Sequence, residues 1–174
     1  MLTDWMEETG IMDGYSWVSA NQHLGWEYVW NNCPSAGFYF GLLEKNVDVE
    51  GWLTKKEFIL LCCDVAEYRM TKNSIKDHEA TLTLKFVREY LERKCSVEKL
   101  GGWADVMFNK FMEEKNEIAG EIFTLVWTLA YVGNLSIHSE FSDEGDGYGV
   151  IEFVREQIKI LRSGFPPATA SMLS

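Results

Sequence analysis

The sequence predicts an all-α protein, a compact bundle of about six to seven helices around a central apolar helix near residues 54–70. Three observations lead there. Proline occurs only at Pro34, Pro166 and Pro167, so 131 consecutive residues lack the strongest helix breaker. Apolar residues recur three and four apart in segment after segment, the spacing of one helix face, and do not alternate as in a half-buried strand. Hydrophobic residues make up 47% of the 174 residues and aromatics 14%, ample for one core, so residues 1–174 read as a single helical domain.

The first expected helix runs from Asn21 to Trp30, where Leu24, Tyr28 and the pair Trp26/Trp30 recur at helical spacing until Asn31-Asn32-Cys33-Pro34 stops it. A short aromatic helix, Ser35 to Leu43, follows. Thr54-Lys55-Lys56-Glu57 is a capping box, with Leu53 placed to staple onto Phe58, so the next helix starts at Thr54 and runs to about Met70. It is apolar nearly all round from Phe58 to Cys63, which marks it as the most buried helix. An amphipathic helix is expected from about Ser74 to Cys95, with Ile75, Ala80, Leu84, Val87 and Leu91 inward and Lys85, Arg88, Glu89, Glu92 and Arg93 outward. Ser96 is an N-cap signal, opening a short turn that Gly101-Gly102 ends, after which Trp103 to Lys115 is helical. From Asn116 on, Ile118, Ile122, Val126 and Ala130, flanked by Ala119, Phe123, Trp127 and Tyr131, form a wide core stripe that Gly133 terminates. The last helix spans about Gly149 to Leu161, and residues 162–174 break away into a tail, ordered or loose.

Charge excludes one function class. Lys and Arg total 16 against 27 Asp and Glu, a net charge of -11, which repels phosphate backbones, so no direct nucleic-acid binding is expected. Residues 1–53 hold one lysine against eight acids and residues 116–174 three cations against eight acids, around a charge-balanced middle. Were these ends to share one face, it would steer a basic protein partner. The longest apolar stretch, Phe58 to Cys63, falls far short of the ~20 residues that span a membrane, and the first residues carry no basic-then-apolar signal pattern. A cytoplasmic chain with reduced thiols at Cys33, Cys62, Cys63 and Cys95 is the expectation.

Candidate chemistry is sparse. Asn46 to Glu57 follows a calcium-loop spacing, with oxygen ligands at Asn46, Asp48, Glu50 and Glu57 and a turn glycine at Gly51. The segment from Glu140 to Gly149 carries four acids, Glu140, Asp143, Glu144 and Asp146, and reads as an acidic finger for a basic partner, a weak cation site or a solvated connection between two helices. Arg88, Arg93, Lys94 and Lys99 near Trp103 are the one set of cations and aromatics that could hold a small signalling nucleotide. The histidines His23, His78 and His138 are scattered, and no nucleophile elbow, phosphate loop or zinc spacing occurs, so neither catalysis nor a cofactor is expected.

Trp52 to Tyr68 resembles the central helix of a family of bacterial and phage helical proteins described as immunity proteins. The same order of features follows: the Arg88-Glu89-Tyr90-Leu91-Glu92-Arg93-Lys94 helix end, the segment Cys95 to Leu100, and the terminal Leu161-Arg162-Ser163-Gly164-Phe165-Pro166-Pro167. Trp26 to Cys33 and Gly37 to Leu43 are similar to that family's opening, so the likeness covers roughly residues 21–167. Where the family is Ala-rich, Trp103 to Tyr131 is bulky and aromatic, which implies a different packing or partner surface there. The resemblance implies an all-helical, non-catalytic protein that neutralises a toxin or an immune effector by direct contact, as an immunity protein or a phage anti-defence protein. The alternative from the residues themselves is a calcium-binding protein using the Asn46–Glu57 loop.

Overall fold

The computed structural model describes residues 1–133, 135, 147–162 and 166–173, residues 147 and 148 by their backbone alone. The described residues are all-helical, with no strand among them. They form ten α-helices: α1 Leu2–Thr9, α2 Tyr15–Asn21, α3 Trp26–Asn32, α4 Ala36–Lys45, α5 Lys55–Lys72, α6 His78–Leu91, α7 Val97–Glu114, α8 Glu117–Trp127, α9 Gly147–Leu161 and α10 Ala170–Leu173. A 3-10 turn, Gln22–Leu24, precedes α3, and a π-helical turn, Thr128–Val132, continues α8.

The finer division has local causes. The helix expected over Asn21 to Trp30 is broken, because Gly25 takes φ 93 and ψ 163, and α3 starts only after it. α6 starts at His78, where the Asp77 carboxylate accepts from the Ala80 N–H, and Ser74, with φ 56, stays outside it. Ser96 and Asn116 cap α7 and α8 through bonds from Lys99 N–H and Ala119 N–H. Gly101 and Gly102 do not end a turn; α7 runs straight through them. At Gly101 a Cβ would come within 3.0 Å of the Tyr131 ring, so the glycine there admits a tyrosine rather than breaking a helix. Gly133, at φ 77, closes the π-helical turn with a bond from its N–H to the Thr128 carbonyl.

The chain divides into two compact units, one made of Met1–Lys55 and Phe141–Ser174, the other of Lys56–Glu140. In the discontinuous unit α4 is the innermost helix, buried at every residue from Ala36 to Glu44, and it packs against α9. Met6, Ile11, Val18, Val29, Phe38, Leu42 and Val154 are fully buried with it. Pro166 and Pro167 are tied to the two indoles of this unit. The Trp26 indole donates to the Pro166 carbonyl at 2.7 Å and the Trp52 indole to the Pro167 carbonyl at 2.9 Å, and Met172 is buried. Ala168, Met172 and Leu173 close one side of a cavity of about 350 Å³ whose other walls include Leu2, Trp26 and Val29.

In the continuous unit α5 buries Phe58, Ile59, Leu61, Cys62, Cys63, Val65, Ala66 and Met70, but α4, buried almost along its whole length, and not α5 is the most completely buried helix among the described residues. α7 and α8, joined by Lys115 and Asn116 alone, pack as an antiparallel hairpin, and α6 lies on both. A buried ion pair, Arg69 to Glu121, ties α5 to α8, the two side chains being 6% and 3% exposed.

Candidate functional site

The predicted nucleotide cluster does not assemble. Arg88 turns toward α5, where its Nη1 donates to Glu67 Oε1 at 2.7 Å and its Nη2 to Asp64 Oδ1 at 2.7 Å and Glu67 Oε2 at 3.0 Å. Burial works against that charge, but the bonds it donates to Glu67 and Asp64 outweigh this and hold the guanidinium protonated more firmly than usual. Lys94 pairs with Glu92 at 2.5 Å, and Arg93 is exposed with φ 61 beyond the end of α6. Lys99 and Trp103 are linked through Phe86: the ammonium lies 4.1 Å over its ring, and the ring stacks on Trp103 at 5.3 Å. One cation on an aromatic pair is not the convergent set a phosphate needs.

Nor do the residues of the calcium-loop spacing gather as ligands. Asn46 is buried and gives its side-chain amide to the Leu42 carbonyl at 2.8 Å. Asp48 takes φ 63, and its Oδ1 accepts from the Lys55 N–H at 3.0 Å, so that carboxylate binds the first residue of α5. Glu50 is exposed. Glu57 belongs to the first turn of α5. Among the described residues no group of three or more His, Cys, Asp or Glu side chains is placed to hold a metal ion. Glu140, Asp143, Glu144, Asp146 and His138 lie outside the described residues.

Thiol and imidazole chemistry is likewise dispersed. His23 and His78 are exposed, on different units. Burial pushes the Cys33 thiol up to about 11 and the Cys63 thiol up to about 12, against the thiolate that a nucleophile requires. Cys95, the half-exposed one, is the most accessible. Lys110 reaches Asp77 and Glu79, both at 2.8 Å, and Asp77 also caps α6. Burial raises the Asp77 carboxyl, yet the Ala80 N–H and Lys110 bring it below the usual carboxylate range. These groups hold α6 to α7, and their polar capacity is taken up in doing so.

What the continuous unit does present is an aromatic face. Phe123, Trp127 and Tyr131 follow one another along α8 and its π-helical turn, with ring centroids 5.9 and 4.5 Å apart. Phe108 of α7 joins the row at 5.1 Å from Phe123. Trp127 is 42% exposed, Tyr131 58%, Phe108 42% and Met112 59%, and Phe111 and Val132 are exposed too. Isolated exposed apolar residues are ordinary, but adjoining ones in mutual ring contact mark an interaction surface. Along α7 the exposed row Asp105, Asn109 and Glu113, spaced four apart, runs beside Phe108 and Met112 and gives the face an acidic rim.

Helical periodicity placed Trp127 and Tyr131 beside the core stripe; both are exposed instead. A helix seven residues or more long with apolar groups on two sides buries only the side another element covers. The available signal was the pair of rows four apart, Phe123/Trp127/Tyr131 and Phe108/Met112, on neighbouring antiparallel helices. Comparison of the chain with protein-family models, with curated proteins and with solved structures finds no match.

Proposed function

We propose that this chain is a non-catalytic binding protein that neutralises a toxin or an immune effector by direct contact, in the setting of bacterial or phage conflict. The observation that carries the reading is the aromatic face of α7, α8 and the π-helical turn, with its ladder of exposed rings and its acidic rim. Exposed Trp, Tyr and Phe held in place by ring contacts are the residues from which binding hot spots are made, because large rigid side chains lose little entropy on docking.

Charge supports the same reading. The discontinuous unit holds five cations against thirteen acids in its sequence, net -8, whereas the continuous unit is at -3. A basic partner is drawn to such a molecule from a distance. The resemblance to immunity proteins supplies the biological setting. Sequestration of a nucleotide has less support, because Arg88 and Lys94 are committed to Glu67, Asp64 and Glu92.

Co-expression with the toxins or defence effectors encoded beside its gene, read as restored growth, tests the proposal. Wild-type chain restores growth, and a Trp127→Glu, Phe108→Glu variant with unchanged helical circular dichroism does not. Equal protection by the two proteins, or none by either across the neighbouring effectors, rejects it.

A further inference from the structure

We infer that Trp26 and Trp52 form a recognition groove for proline-rich chain, filled here by the protein's own Pro166-Pro167 and open to exchange with a diproline-bearing segment of a partner protein. The groove lies in the discontinuous unit and is independent of the aromatic face.

Two glycines aim the donors. Gly25, at φ 93, and Gly51, at φ 83, each stand immediately before a tryptophan, and each sets the entry of chain into that residue from a backbone region closed to other side chains. The indole N–H groups of Trp26 and Trp52 then meet two successive carbonyls, those of Pro166 and Pro167, at 2.7 and 2.9 Å. Trp30 completes the floor, its ring centroid 5.8 Å from Trp26 and 6.2 Å from Trp52, with the other two 6.1 Å apart. The Pro167 ring rests on Gly51 so closely that a Cβ there would lie 2.9 Å from its Cγ and Cδ. Arg162 fixes the Trp52 end of the groove, donating from Nη2 and Nε to the Trp52 carbonyl at 2.9 and 3.2 Å.

This is the chemistry of polyproline recognition. An indole N–H is a donor with no acceptor, and a prolyl residue is an acceptor with no N–H, so the two match without leaving a group unpaired. Proline also arrives with φ fixed, so an extended Pro-Pro segment loses little freedom on docking in an aromatic groove. Apolar packing alone would anchor a tail; two donors registered on consecutive prolyl carbonyls, and a glycine that a ring fills, select what can lie there. A tethered ligand competes at an effective concentration of about millimolar, which lowers the apparent affinity for an outside segment by the fraction of time the groove stands open.

The test is a titration of the 15N-labelled full chain with the peptide Gly-Phe-Pro-Pro-Ala-Thr, following the indole N–H signals of Trp26 and Trp52. Both signals are expected to move saturably. A full-length Pro166→Ala, Pro167→Ala variant, whose own tail competes less well, is expected to bind on the order of tenfold more tightly, and adding Trp52→Phe to it abolishes binding. Binding by Gly-Phe-Ala-Ala-Ala-Thr with equal affinity overturns the proposal, as does a doubling of mass by sedimentation, which would make the occupant a second copy. Unmoved indole signals at several millimolar peptide overturn it in any of these helical proteins, the wild type included if the double variant fails to fold.

Discussion

Single side chains carry sharply different consequences according to what surrounds them. Glycine to alanine makes the point. At Gly41 a new Cβ would lie 2.9 to 3.2 Å from three atoms of Ile11, itself fully buried, so nothing can give, and Gly41→Ala is expected to lower stability by about 1–3 kcal/mol in urea unfolding. At Gly101 the neighbour is the far end of Tyr131, an exposed side chain that can swing away. Gly101→Ala is therefore expected to gain up to about 1 kcal/mol of helix propensity while displacing Tyr131 from the aromatic row, raising the melting temperature and weakening partner binding together. Arg69 and Glu121 give a third case. Arg69→Ala strands a buried carboxylate and should cost about 3–5 kcal/mol, whereas Arg69→Met with Glu121→Leu should restore most of it, as urea midpoints would register.

Buried thiols also set a pH dependence. In the folded chain Cys33 and Cys63 keep their protons up to about 11 and 12, while an unfolded thiol releases its own near ~8.5. Between those values the folded state binds more protons than the unfolded one, so stability is full below ~8.5 and falls as pH rises toward the folded values. The urea midpoint is expected to decline from pH 8 to pH 10.5, and to decline less in Cys63→Ala. A midpoint that is flat over this range in the wild type contradicts the assignment.

At the scale of the element, the sequence was most legible where the signal and its effect are neighbours. The Ser96 hydroxyl accepts from an N–H three residues on, and the Gly133 N–H donates to a carbonyl five residues back, so this cap and this stop could be read directly. Loss of the Ser96 hydroxyl in Ser96→Ala should cost about 1 kcal/mol, and Asp77→Ala more, because Asp77 also holds Lys110. Legibility failed where the deciding contact is distant. Arg88 was grouped with Arg93 and Lys94 by proximity in sequence, but its partners Asp64 and Glu67 come from α5, 24 and 21 residues earlier. Trp26 and Trp52 looked like ordinary helix and loop aromatics, since their acceptors stand 140 and 115 residues away. The face of α8 could be drawn from its periodicity, but periodicity names the sides of a helix and not which of them a neighbour will cover.

Across the whole molecule, the negative charge predicts the kinetics of association more than its final strength. If the partner is basic, its on-rate should fall steeply between low and physiological salt while its off-rate, set by the aromatic face, changes little; stopped-flow mixing at several ionic strengths separates the two. A Trp127→Ala variant should show the reverse, with the on-rate nearly kept and the off-rate raised.

The division of the chain bears on how the protein is made. The continuous unit, Lys56–Glu140, is complete once its last residue has left the ribosome, but the unit that begins with Met1 needs residues from Phe141 on, including α9 and the Pro166-Pro167 seat of its two indoles. Residues 1–55 therefore wait for residues made after the continuous unit, and for them the order of folding runs against the order of synthesis. During that wait Trp26, Trp30 and Trp52 lack the tail that seats on them, three indoles in a half-made unit. A nascent chain stalled near residue 140 should protect α7 and α8 amides from exchange while leaving α3 and α4 open, and it is at this stage that a chaperone would find its surface.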